Sequence, residues 1–287
     1  MKRTNLIIYM LVAMLLIAGC TGKNDLADVA EQSNGMYECT YAGEKHKFLV
    51  CFPENKTDGM PLIIMLHGYA AGPEAFRSQT HMDKDACEKG YVVIYAGSAE
   101  AGWNSGMGDY ERDDVGYLEA IVKYAGEEFG CSSDNVFAAG FSNGGFMIQR
   151  LASDSDAFKA VVCVAGMMPK AVWENKKETA DISLLEIYGT KDEVVPMKLT
   201  GTADSSINPA IEDVMQYWID ANSLTETEEV SLSDRSTLTK ATSPSGSNAV
   251  WTVIIDEGRH SWPEEQFAGF NTNQLILEFF ESYKNNG

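Results

Sequence analysis

Ten residues constrain this chain more than any others: Val136-Phe137-Ala138-Ala139-Gly140-Phe141-Ser142-Asn143-Gly144-Gly145. They begin as a short apolar run after the turn-like Ser132-Ser133-Asp134-Asn135, which reads as a buried strand. Phe146 to Ala152 reads as a helix. The chain must therefore turn sharply at Gly-x-Ser-x-Gly, and Gly140 and Gly144 let strand and helix approach without a clash of Cβ atoms. A serine on such a turn exposes its hydroxyl at the end of a sheet. The N–H of Asn143, at a helix N-terminus, can face an oxyanion there. The five-residue pattern alone is common and can be a plain turn. Strand before and helix after make it a nucleophile elbow.

The rest of the chain supplies a sheet for that elbow. Tyr37–Tyr41 and Lys47–Phe52 flank a turn at Gly43-Glu44 and read as an antiparallel hairpin, with Phe48 opposite Cys39. Leu62–Leu66, Tyr91–Tyr95, Ala160–Val164 and Ile182–Tyr188 are apolar runs of the kind found in parallel strands buried on both faces. Leu238–Thr242 and Ala249–Ile255 read as further strands. Helices are expected from Thr80 to Lys89, from Asp113-Asp114 to Phe129, over Ile211–Ala221 and over Asn273–Tyr283. Strands alternating with helices after an antiparallel hairpin give an α/β class: a mostly parallel, doubly wound sheet in the chain order of an α/β-hydrolase.

A serine hydroxyl is a weak nucleophile until a base takes its proton, and the base needs an acid to hold its tautomer. In this order the acid follows the serine and the histidine comes last. Of the four histidines only His260 lies beyond Ser142, in a loop just after the last expected strand. The acid belongs after the strand ending at Tyr188, where Gly189-Thr190-Lys191-Asp192-Glu193 offers Asp192; Glu193 points away in an extended loop. The second oxyanion donor falls to the backbone of Tyr69, in the small-residue loop after Leu66, beside that of Asn143. His67 then shapes the loop. Trp103 and Trp262 flank pieces of the site and are either a substrate-facing wall or plain packing.

The first residues are not fold. Lys2-Arg3, an apolar stretch from Leu6 to Ile17 and Ala18-Gly19-Cys20 form a secretory leader, too short an apolar run for a membrane span. Its end resembles a bacterial lipobox, in which Cys20 is lipidated. This divides the chain into a signal peptide (1–19), a flexible polar tether (20–34) and one α/β-hydrolase domain (35–287), held outside the cytoplasm by an N-terminal lipid anchor. Cleavage removes two positive charges and no negative ones, taking the net charge from −20 to −22. So acidic a chain argues against nucleic-acid partners and a polybasic membrane patch. Five cysteines remain, an odd number, with no Cys-x-x-Cys or His-x-x-x-His, so neither a metal nor another cofactor is expected.

Taken in order, Leu66-His67-Gly68-Tyr69, Trp103-Asn104, Asp113-Asp114-Val115, Gly140-Phe141-Ser142-Asn143-Gly144-Gly145, Tyr188-Gly189-Thr190-Lys191-Asp192-Glu193-Val194-Val195-Pro196 and Gly258-Arg259-His260-Ser261-Trp262-Pro263 resemble the secreted polyhydroxybutyrate depolymerase and feruloyl esterase family. The resemblance spans roughly Met36 to Tyr283. It implies a carboxylic ester hydrolase acting on acyl-decorated plant polysaccharide or hydroxyalkanoate esters, with Ser142, Asp192 and His260 as its triad. The chain departs from the family pattern at Ala96, Ala70-Ala71 and Glu264, which bears on loop shape and substrate choice. Other readings are a serine peptidase of the same fold, an acyltransferase, and a non-catalytic polymer-binding lipoprotein.

Overall fold

Eleven strands form one sheet among the described residues, 25–108, 110–196 and 209–285 of a computed structural model. The leader and Cys20 lie outside the described residues. In chain order the elements are β1 (Ala27–Ser33), β2 (Met36–Tyr41), β3 (Glu44–Cys51), β4 (Met60–Leu66), α1 (Pro73–Thr80), α2 (Met82–Glu88), β5 (Val92–Ala96), α3 (Asp114–Phe129), β6 (Cys131–Phe141), α4 (Asn143–Asp154), β7 (Ala160–Val164), α5 (Lys170–Glu174), β8 (Ser183–Gly189), α6 (Ile211–Ala221), β9 (Glu226–Ser231), β10 (Ser236–Thr242), β11 (Ala249–Ile255), α7 (Glu265–Ala268) and α8 (Thr272–Tyr283). The strand order is β1-β2-β3-β5-β4-β6-β7-β8-β11-β10-β9. The six central strands from β5 to β11 are parallel, and antiparallel pairs close both edges.

Alternation along each strand feeds two cores. Leu62, Ile64 and Leu66 of β4 face one layer, with Leu118, Met147 and Trp218 of α3, α4 and α6. Ile63 and Met65 face the other, with Phe76 of α1, Met82 of α2 and Phe280 of α8. Both faces of the central strands are thus buried, which is why they read as unbroken apolar runs.

Three local expectations need correction. Residues 27–33, assigned to a flexible tether, form β1: Leu26 is buried, Val29 packs on the core, and Asp25 pairs with Lys123 at 2.5 Å. The strand lies at the sheet's edge and is polar on most positions, so it carries no alternation. The hairpin turn is Ala42-Gly43, both at positive φ, so Cys39 faces His46 and Phe48 faces Tyr37. The helix expected from Thr80 to Lys89 runs over Met82–Glu88 as α2, and an unexpected helix, α1, precedes it; between them His81 takes φ 51° and caps α1 through its N–H to the Arg77 carbonyl.

A carboxyl group stands in the core behind the elbow helix. Glu186 of β8 is wholly buried; its Oε2 accepts from Gln149 Nε2 at 2.8 Å, and Gln149 Oε1 accepts from Trp218 Nε1 at 2.8 Å. Burial pushes its carboxyl well above the usual carboxylate range. The folded protein therefore holds a proton that the unfolded chain releases above pH of about 4.3, so this group's contribution to stability falls as pH rises past that value. Glu186→Gln copies the shape of the acid form without the titration. The variant should melt higher than the wild type at pH 8, with the difference shrinking towards pH 5; thermal unfolding at the two pH values checks this, and a gap independent of pH contradicts it.

Candidate active site

The elbow lies where β6 meets α4. Ser142 sits at φ 56°, ψ −118°, a conformation a serine adopts at a cost of about 1–3 kcal/mol. Its surroundings hold it there. Ser142 N–H donates to the Val164 carbonyl of β7 at 2.9 Å, and the Ser142 carbonyl accepts from Phe146 N–H at 3.0 Å. A Cβ on Gly140 would stand 2.3 Å from the Gly144 carbonyl oxygen, and one on Gly144 would stand 2.2 Å from that of Leu66. The two glycines exist because three backbone segments converge under the serine.

The loops after β8 and β11 bring two more side chains to it. His260 Nε2 lies 2.8 Å from Ser142 Oγ, and His260 Nδ1 lies 2.7 Å from Asp192 Oδ2. The Asp192 side chain is 1% exposed and that of His260 is 16% exposed. Asp192 Oδ1 accepts from the N–H groups of Val194 and Val195 at 2.9 and 2.8 Å. Being acceptor-only, the carboxylate requires the imidazole proton on Nδ1, which leaves the Nε2 lone pair facing the serine hydroxyl. The three residues singled out in the sequence are thus in one hydrogen-bonded line.

The loop after β4 closes the other side. A Cβ on Gly68 would lie 3.4 Å from Ser142 Cβ, so the Gly68–Tyr69 backbone runs against the nucleophile. Neighbouring amides are engaged: Ala70 N–H on the Ala101 carbonyl, Ala71 N–H on that of Gly68. The N–H of Tyr69 meets no backbone carbonyl in the loops of the described residues, as an oxyanion donor requires, and Asn143 opens α4 beside Ser142. Ala70 takes φ 57°, the left-handed region that favours glycine. His67 is buried; its Nδ1 bonds the Gly68 carbonyl at 2.7 Å and its Nε2 accepts from Ser98 N–H at 3.2 Å. Burial lowers its pKa, and it braces the loop as a neutral ring.

Neither tryptophan is a substrate wall. Trp103 is 1% exposed, tilted against His67, and donates Nε1–H to the His67 carbonyl at 2.9 Å. Trp262 is 8% exposed, packs edge-on to Phe76, and donates to Asn273 Oδ1 at 3.2 Å. Each indole N–H needed an acceptor once buried, and the acceptor dictated where the ring points. Proximity in sequence to a site residue carries no such information.

Sequence reading missed the network that holds the Trp103 loop. Asp113 caps α3 through Gly116 N–H, but Asp114, 1% exposed, turns back: its Oδ2 accepts from Asn104 N–H at 2.6 Å and from Arg112 Nη2 at 3.4 Å. Arg112 Nη2 also donates to the Gly102 carbonyl at 2.5 Å. Trp103 N–H in turn grips Asn143 Oδ1 at 2.6 Å. One acid suffices for a cap; the second acid at the helix start was the available signal.

Known proteins share this fold. The profile of the prolyl oligopeptidase family matches residues 78–192, which include Ser142 and Asp192. The solved acetyl xylan esterase from Aspergillus awamori superposes with a TM-score of 0.60 at 11% identity, over 83% of this chain and 94% of that one. The fold is that of the α/β-hydrolases. Within it, the chain is 32% identical over 160 residues to the protein described as the esterase NocK of Nocardia uniformis subsp. tsuyamanensis, covering 54% of this chain and 46% of that protein. It is 25% identical over 145 residues to the bifunctional acetylxylan esterase/xylanase XynS20E of Neocallimastix patriciarum, covering 50% of this chain and 21% of that one. The chain thus spans less than half of these relatives' own length.

Proposed function

We propose that this protein is a serine carboxylic ester hydrolase. The observation that carries the reading is the line Asp192–His260–Ser142, at 2.7 and 2.8 Å, ending on a serine in a strained turn at a helix N-terminus. His260 takes the Ser142 proton as Oγ attacks the ester carbonyl. The amides of Tyr69 and Asn143 receive the negative oxygen, each such donor lowering the barrier by on the order of 3 kcal/mol. His260 then protonates the departing alcohol, leaving an acyl-serine. Water, deprotonated by His260, attacks that acyl group, and Ser142 leaves with the proton returned.

The natural ester is proposed to be acyl-decorated plant polysaccharide or a hydroxyalkanoate oligomer. The esterase relatives and the resemblance to polyhydroxybutyrate depolymerases and feruloyl esterases support this. The protein is proposed to act outside the cytoplasm, anchored to a bacterial membrane through a lipid on Cys20; the lipobox-like leader supports that.

A fluorophosphonate should label the full chain at Ser142 and leave Ser142→Ala unlabelled, with hydrolysis of methyl acetate or methyl ferulate lost in parallel. Labelling elsewhere, or ester hydrolysis surviving in the variant, overturns the assignment. The ratio of kcat/KM for methyl ferulate over methyl acetate then reports the acyl group. The match to the prolyl oligopeptidase profile favours a second reading, a peptidase; cleavage of acyl-peptide anilides faster than of the matching esters would select it.

A further inference from the structure

The two amides assigned to the oxyanion belong to different segments: Tyr69 to the loop after β4, Asn143 to the first turn of α4. Packing brings the segments together, with Gly68 against Ser142 and Gly144 against the Leu66 carbonyl. Packing alone does not aim an N–H. Ala70, next after Tyr69, takes the left-handed φ of 57°, which an alanine keeps only where its surroundings hold it. Its N–H is held by the Ala101 carbonyl at 2.6 Å. The direction of the Tyr69–Ala70 backbone therefore depends on a third segment, Ala101-Gly102-Trp103.

That segment is fixed to both sides of the pocket. Trp103 Nε1–H donates to the His67 carbonyl at 2.9 Å, on the loop side. The Trp103 backbone N–H donates to Asn143 Oδ1 at 2.6 Å, on the elbow side. The fit is close: a Cβ on Gly102 would lie 2.9 Å from Asn143 Oδ1 and 3.0 Å from Tyr69 Cδ2. The first residue of a helix offers its backbone N–H whatever its side chain, so the elbow itself does not require asparagine. The Asn143 carboxamide instead reaches out of α4 to Trp103. One short path of bonds then joins the elbow to the second donor: Asn143 Oδ1 to Trp103 N–H, along the backbone to the Ala101 carbonyl, and on to Ala70 N–H.

We propose that the Asn143 side chain is a positioning group for the oxyanion pocket: acting through Trp103 and Ala101, it aims the Tyr69 N–H at the oxygen that the Asn143 N–H faces from the other side. One residue serves the pocket twice, as a donor and by placing its fellow donor. The proposal rests on the ester-hydrolase reading. Negative oxygen fills the pocket only as the tetrahedral intermediate forms, so a misplaced donor costs rate and not substrate affinity.

The test is Asn143→Ala in the full chain, which keeps the backbone N–H at 143 and removes the acceptor. On methyl acetate or methyl ferulate, whichever the wild type turns over faster, kcat should fall by about 10- to 100-fold with KM within about twofold. The inhibition constant of a trifluoromethyl ketone should rise by the factor by which kcat/KM falls. Ser142 Oγ adds to that ketone, its proton passes to His260 Nε2, and the carbonyl oxygen becomes the oxyanion in the pocket, so the adduct reports the pocket itself. The acid limb of the kcat/KM pH profile should stay where it is, because Asp192 and His260 stand on other loops. Gly102→Ala, whose methyl presses Asn143 Oδ1 away from Trp103, should give the same pattern, and it decides the question if Asn143→Ala does not fold. A kcat within twofold of the wild type, a loss confined to KM, an unchanged ketone affinity or a shifted acid limb overturns the positioning role, and the hydrolase reading survives as long as Ser142→Ala is inactive. Turnover unchanged in Ser142→Ala overturns the hydrolase reading, and the positioning role with it.

Discussion

Asp192→Asn should lower kcat/KM for ester hydrolysis by about 10⁴-fold without unfolding the protein. The size follows from what surrounds the carboxylate. Oδ1 is held by two backbone donors, Val194 and Val195, so the amide of an asparagine must place its oxygen there. Its NH₂ then faces His260 Nδ1, where Oδ2 stood at 2.7 Å. Two donors cannot face each other, so the ring keeps its lone pair on Nδ1 and carries its proton on Nε2. That proton points at Ser142 Oγ and leaves nothing to accept the hydroxyl's own. The change is isosteric, so thermal stability should alter little. Steady-state kinetics with a melting curve on the same sample checks both halves; near-normal turnover would mean that Asp192 does not set the tautomer.

Gly189→Ala should cost both activity and stability, for a reason well away from the serine. Gly189 ends β8 and Gly258 follows β11, and the loops they begin carry Asp192 and His260. The two glycines touch: a Cβ on Gly189 would fall 2.3 Å from the Gly258 carbonyl carbon and oxygen. Lys191 N–H donates to that carbonyl at 2.8 Å. The clash is with backbone, so no side chain can swing aside, and overpacking of this kind costs about 1–3 kcal/mol. Relief comes only by parting the loops, which lengthens the 2.7 Å bond between acid and base. A displacement of about 1 Å at a catalytic group costs on the order of 10²-fold in rate. Denaturant unfolding and kcat/KM measured together should both fall; full activity in a destabilised variant would show that the loops are not coupled here.

The pattern of what the sequence disclosed has physical causes. The parallel strands were legible because both their faces are buried, and the elbow because a turn this tight tolerates only glycine at Gly140 and Gly144. His260 followed from elimination among four histidines, and Asp192 from the loop it had to occupy. The edge strands were not legible: β1 and β9 satisfy backbone groups on one side only and keep polar side chains outward, so hydrophobic periodicity passes over them. α1 was passed over, and the left-handed turn that ends it was hidden because a non-glycine residue, His81, makes it. Trp103 and Trp262 could not be decided between wall and packing because spacing locates a residue along the chain but does not say which way an indole points. Arg112 escaped notice because its partners, Gly102, Asp114 and Glu100, form no spaced motif.

The edge strand β1 also bears on how far the protein can reach. Cys20 and Ala27 are seven residues apart, and Ala27 is already locked to Thr40 in the sheet. A chain so short spans at most roughly 25 Å. Given the proposed lipid at Cys20, the hydrolase domain rides against the bilayer rather than trailing on a long leash. Any ester it cleaves must then come to the envelope surface. A domain this acidic, kept close to anionic lipid, would be turned by repulsion so that its more negative side looks away from the membrane.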